Sequence, residues 1–157
     1  MAVEPGYPPA PARRPSYSWA SLGARLILTL AGAAGMIISA FLQWFGRVGV
    51  NLDVRAFWES NFGRRSGTFV ATVGFVMIVL GLVAILGLAP RSGWLTRLAG
   101  ALAIAAFVLF VIEVYRGNGD IRDADVGAWI ALAGGVVALI GGFFGTRTVA
   151  TTVPAVE

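Results

Sequence analysis

Residues 126–144 read VGAWIALAGGVVALIGGFF. The stretch holds no charged residue. Its small residues recur at four-residue spacing: Gly127, Ala131 and Gly135, then Gly134, Ala138 and Gly142, then Gly141 and Gly145. Nineteen helical residues at roughly 1.5 Å each reach nearly the roughly 30 Å of a bilayer's hydrocarbon core. In hydrocarbon the backbone must satisfy its own polar groups, and a helix does so within one segment. The stretch is therefore read as a transmembrane helix whose small residues let a second backbone come close.

Three further runs share this character, at about 26–45, 68–88 and 95–114. Each is again long enough to span. The first exceeds a signal-peptide core of roughly 7–15 apolar residues, so it is read as an uncleaved span. Trp19, Trp44, Trp94 and Trp129 lie at or near span ends, Trp58 lies in a loop, and none falls in mid-span. An indole favours the interface, where its ring is sheltered and its N–H finds a partner.

Composition agrees. Of 157 residues, 57% are hydrophobic and 13% charged, and mean hydropathy is +0.80. A soluble domain is nearer about half apolar and about a quarter charged. The chain has neither Cys nor His, which removes disulfides, thiolate chemistry, Cys/His metal sites and histidine acid–base catalysis. All twelve basic residues are arginine. They are scattered at span ends and form no basic stripe, so lipid headgroups rather than nucleic acid are the expected counter-ions.

Residues 1–20 hold five of the seven prolines and are read as an extended, disordered tail. Residues 21–146 form the transmembrane domain, and residues 147–157 a short C-terminal tail. With the N-terminus inside, arginines divide six against six, so their count does not set orientation. Arg13, Arg14 and Arg25 precede the first span, and six acids from Asp53 to Asp125 fall on the other side. Both termini are placed in the cytoplasm, in a multi-pass protein of the plasma membrane.

The second and fourth spans align at an offset of 60, pairing Gly67, Gly74 and Gly81 with Gly127, Gly134 and Gly141. The first and third align at 72, pairing Arg25, Leu26 and Ala31 with Arg97, Leu98 and Ala103. A duplicated helix–outer loop–helix hairpin accounts for both pairings in one order. Coincidence among Gly, Ala and Val in oily helices is the alternative. In the first span, Ala31, Gly35 and Ser39 form a further small-residue seam. Gly74 and Gly81 join the packing set of the second.

Chemistry is sparse. Mid-span stretches contain no ionisable group, which a proton-coupled transporter would need. Glu113 lies near the outer surface with Arg116 one turn on, and is read as half of an interfacial ion pair. Residues 47–54 alternate as a short strand would. The following Phe57, Trp58 and Phe62 either pack on the outer rim or form a contact surface for a partner. Asp120, Asp123 and Asp125 lack the spacing of a calcium loop. Asp123 or Asp125 is expected to cap the fourth helix. No GxSxG, Walker A, GxGxxG or HExxH pattern occurs.

Four spans, a Pro-rich head, FLQWF at 41–45 and glycine-rich second and fourth spans resemble small actinobacterial four-helix membrane proteins, over residues 20–145. The first outer loop is similar in layout to that of claudin-type tetraspans, without their W-x-W motif or paired cysteines. The resemblance implies an all-α tetraspan bundle and carries over no functional residue. The expectation is a non-enzymatic accessory or scaffold subunit that contacts lipid and either other membrane proteins or its own copies, without cofactor or metal. The alternative is a small-solute transporter or channel.

Overall fold

In the computed structural model, residues 19–46, 52–59, 66–89 and 93–144 are described. Four helices carry the apolar runs: α1 (Trp19–Ser39), α2 (Val73–Leu86), α3 (Trp94–Arg116) and α4 (Val126–Phe143). Three of them, α1, α3 and α4, are long and apolar enough to cross a membrane. Residues 1–18 of the Pro-rich head, residues 47–51, Phe62, Gly145 and the C-terminal tail lie outside the described residues, while the last two residues of the head, 19 and 20, open α1.

Two helices depart from the bounds of their apolar runs, for local reasons. α1 stops at Ser39, six residues before its run ends. There the Ser39 hydroxyl donates to the Met36 carbonyl at 2.6 Å. The next amides, Ala40, Phe41 and Leu42, donate three residues back, the tighter winding that commonly closes a helix. Trp44 then folds under the helix end and donates its indole N–H to Ser39 O at 2.9 Å.

α2 has 14 residues, about 21 Å at about 1.5 Å per residue, where a longer helix was expected. Thr72 interrupts it with extended backbone. Its hydroxyl oxygen accepts from the Phe75 amide as N-cap and donates to Phe69 O. A 3₁₀ turn, Phe69–Ala71, precedes the break. The first loop causes it: Asp53 bridges Thr72, and Leu52 O receives the Val73 amide at 2.9 Å. Of the strand expected at 47–54 only residues 52–54 are described, and they hold this isolated bridge. Val54 already enters a 3₁₀ turn, Val54–Phe57, and no strand occurs among the described residues.

α1 packs on α2 and α4, and α3 packs on the same two helices. The α1–α4 contact is the most extensive. Met36, Ala33, Met77, Ala84, Ala99, Ala103, Ala128, Ala131 and Ala138 are buried, whereas Ile27, Ile38, Phe41, Leu86, Leu102, Leu109 and Phe143 are exposed. Water-soluble proteins place their largest aliphatic groups inside. Here the helix contacts are mostly small residues, joined by a few large ones such as Met36, Met77 and Phe110, while large aliphatic side chains coat the outside, as a lipid-facing surface requires.

The described acidic residues, Asp53, Glu59, Glu113, Asp120, Asp123 and Asp125, all lie at the end where α1 and α3 finish and α2 and α4 begin. This is the acidic end. Arg25 and Arg97 mark the opposite, arginine end.

Candidate functional site

The α1–α4 seam is a contact of backbone on backbone. A Cβ built on Gly32 would strike the Ala138 amide nitrogen and lie 2.7 Å from both Ala138 Cβ and Gly134 O. One on Gly134 would lie 2.8 Å from Gly32 O and Met36 N. A Cβ on Gly35 would lie 3.1 Å from Gly134 Cα. On the other side of α4, a Cβ on Gly135 would lie 3.1 Å from Gly100 O, and one on Gly100 would lie 2.6 Å from Gly135 O. Adjacent glycines thus serve two neighbours. Apolar burial gives helices no reason to associate in lipid, so such close packing must hold them.

Gly127, Ala131, Gly134, Gly135, Ala138, Gly141 and Gly142 are all buried on α4, as are Gly74 and Gly81 on α2. A Cβ on Gly74 would lie 2.7 Å from Ala40 O. Of the α1 seam expected from the sequence, Ser39 is buried and Gly35 packs on Gly134, but Ala31 is exposed and Gly32 takes its place.

At the acidic end the first loop closes over an aromatic cluster. Trp44 is only 1% exposed, with Phe110 at 5.6 Å and Phe57 at 6.4 Å, both edge-on. Leu52 and Ala56 are buried beside them. Of the two roles open to Phe57 in the sequence, packing or outer contact, it takes packing: it is buried, with its ring edge-on to Trp44. Trp58, the next residue, is 57% exposed. The second loop is tied to the same corner. Asp125 N donates to Trp44 O at 2.9 Å, Gly127 N to Gln43 O at 2.7 Å, and Phe45 bridges Ala124. Asp125 caps α4. Asp123 instead completes a capping box with Asp120. An open cleft of about 320 Å³ lies here, lined by Phe45, Gly46 and residues 122–125.

Glu113 is 4% exposed and accepts from Arg116 Nη1 at 2.7 Å. The pair spans one turn, its carboxylate inside and its guanidinium mostly in solvent. α3 ends just beyond, with Asn118 in the left-handed region and Gly119 N returning to Val114 O at 3.0 Å.

The arginine end holds two contacts that sequence reasoning missed. Buried Arg25 donates through Nη2 to Gly87 O, at the C-terminus of α2, at 3.0 Å. Arg97 donates through Nε to Gly142 O, in the last turn of α4, at 2.8 Å. Each guanidinium meets carbonyls at the negative end of a helix dipole. Gly93, with φ of +62°, lets the chain pass Gly142 O before α3 begins. Thr96 donates to Ala84 O at 3.2 Å. The one available signal was the alignment of Arg25 with Arg97. No group of three or more metal-ligating side chains occurs among the described residues.

The sequence matches no protein-family model, and no curated protein and no solved structure matches it.

Proposed function

We propose that this chain is a four-span protein of the plasma membrane that serves as a non-enzymatic accessory or scaffold subunit. Helix faces and the loop at the acidic end would make its contacts. One observation carries the reading: backbone fills the interior where α4 meets α1 and α3, while the outer faces present large aliphatic side chains. Such a body offers surfaces rather than a path. Buried Ser39, Thr72 and Thr96 support it, since each donates to a carbonyl nearby instead of lining a channel.

In this proposal α2 also spans. The 3₁₀ turn at 69–71, Thr72 and α2 together cover 18 residues from Phe69 to Leu86. Four crossings put both termini on one side, taken as the cytoplasm. The hairpin duplication gains support from Arg25 and Arg97, which align in sequence and clamp the ends of α2 and α4 in equivalent ways. The glycines follow it less well. Gly74 packs on α1, the first helix of its own hairpin, so Gly134 should pack on α3; it packs on α1, and Gly135 takes the α3 contact.

Purification from native membranes in mild detergent, with crosslinking before extraction, tests the role. A stoichiometric membrane partner is the expected result. A protein that runs alone and crosslinks to nothing contradicts it. A second reading, ion- or proton-coupled transport, draws on the buried Glu113 carboxylate. It requires flux in proteoliposomes that Glu113→Gln abolishes.

A further inference from the structure

We infer that Arg97 binds the phosphodiester of an anionic lipid headgroup at the arginine end of the helices. The site rests on the membrane placement proposed above. Arg97 lies in the first turn of α3, three residues after Trp94 and so on the same side of the helix. Two contacts fix its guanidinium: Nε donates to Gly142 O at 2.8 Å, and the carbon at its centre lies 4.7 Å from the Phe143 ring centroid. Among the described residues nothing accepts from Nη1 or Nη2. The fork is thus held in place with two donor nitrogens, Nη1 and Nη2, that no described residue uses. That is the geometry with which arginine takes two phosphate oxygens at once.

Charge and surroundings select a lipid. Every described acidic side chain lies at the opposite end, and buried Arg25 adds a second positive charge at this one. Compensating negative charge must come from beyond these residues. Phe143 lies against the guanidinium, Trp94 stands one turn earlier on the same side of α3, and both are exposed. Exposed aromatics beside a cation mark the level of lipid phosphates, whereas an aqueous phosphate site would be rimmed by polar groups. An anionic lipid adds net charge, which a zwitterionic one does not.

The test uses the full chain in neutral detergent, with lipids retained on the protein counted by native mass spectrometry. Dioctanoyl phosphatidylglycerol and dioctanoyl phosphatidylcholine are offered in equal amounts. The wild type is expected to retain the anionic phosphatidylglycerol (the glycerol-headgroup lipid) preferentially, and Arg97→Gln to lose about fivefold of that preference, the weight of one arginine at an anionic surface. Arg97→Lys should fall between, since lysine presents a single point charge with no fork. Phe143→Ala, which keeps the charge and removes the brace, should lose about twofold. Arg122→Gln, at the acidic end, should match the wild type. Equal retention of both lipids by the wild type overturns the inference, as does an Arg97→Gln variant of native helicity with unchanged preference. Displacement of the phosphatidylglycerol by millimolar inorganic phosphate overturns the lipid assignment in favour of free phosphate. Release of the protein from native membranes by alkaline carbonate would defeat the membrane placement itself; a protein that stays embedded yet shows no preference defeats only this site.

Discussion

Gly32→Ala is the sharpest perturbation of the α1–α4 seam. The added methyl would strike the Ala138 amide nitrogen and stand 2.7 Å from Ala138 Cβ and Gly134 O. Two of those three atoms are backbone, so no rotamer change relieves the clash, and α1 must move away from α4. Opening a packed interface by roughly 0.5–1 Å forfeits roughly a quarter to a half of each dispersion contact along it. Overpacking of this kind costs about 1–3 kcal/mol. We expect a loss of about 2 kcal/mol, and a larger one for Gly32→Val. Ala31→Leu is the matched control. Ala31 is exposed, so the larger side chain projects into lipid or detergent and should change stability by less than about 0.5 kcal/mol. Equilibrium unfolding with SDS in mixed micelles, followed by tryptophan fluorescence, measures both. If Ala31→Leu proves as damaging as Gly32→Ala, or Gly32→Ala unfolds like the wild type, the assigned phase of α1 is wrong.

Other positions give independent expectations. Trp44→Ala removes the ring that Phe57 and Phe110 close on and should cost about 3–5 kcal/mol in the same unfolding assay. In the folded protein Trp44 emission should resist acrylamide while Trp58, exposed on the same loop, is quenched; single-tryptophan variants measure each. Arg25→Gln removes the charged donor to Gly87 O and should cost about 1.5–3 kcal/mol, the range for hydrogen bonds to charged groups. Thr72→Ala deletes the N-cap of α2, a loss of about 1 kcal/mol, and should speed amide exchange at Phe75 more than in α4.

The four helices were legible because long runs of Leu, Val, Ile, Gly and Ala, charged only near the ends if at all, admit little else. An acidic cap for α4 was legible too, as Asp123 or Asp125, since an acid just before an apolar run is a helix-start signal; Asp125 takes it. What escaped depends on contacts distant in sequence. Ala31 and Gly32 are both small, and only the position of α4 decides which one faces it. The early end of α1 follows from Trp44 tucking beneath Ser39, and the late start of α2 from Leu52 and Asp53 holding Thr72 and Val73. Neither partner lies in the helix it shortens. Trp44 matched an interfacial indole in every local respect. Its burial requires Phe57 from the loop and Phe110 from α3. The two arginine clamps stayed hidden because a helix-end arginine resembles a headgroup anchor until the opposing carbonyls are placed.

Whether α2 crosses the bilayer decides the four-span account most directly. The chain contains no cysteine, so single substitutions report cleanly on sidedness. Gly67→Cys stands before α2, at an exposed position where a Cβ meets nothing within 4 Å. Ala89→Cys stands just after α2, also exposed. Arg122→Cys lies between α3 and α4. In sealed vesicles of known orientation, a membrane-impermeant maleimide should label the Gly67→Cys and Arg122→Cys variants from one side and Ala89→Cys from the other. Labelling of the Gly67→Cys and Ala89→Cys variants from the same side would mean that α2 does not span, and would contradict the account.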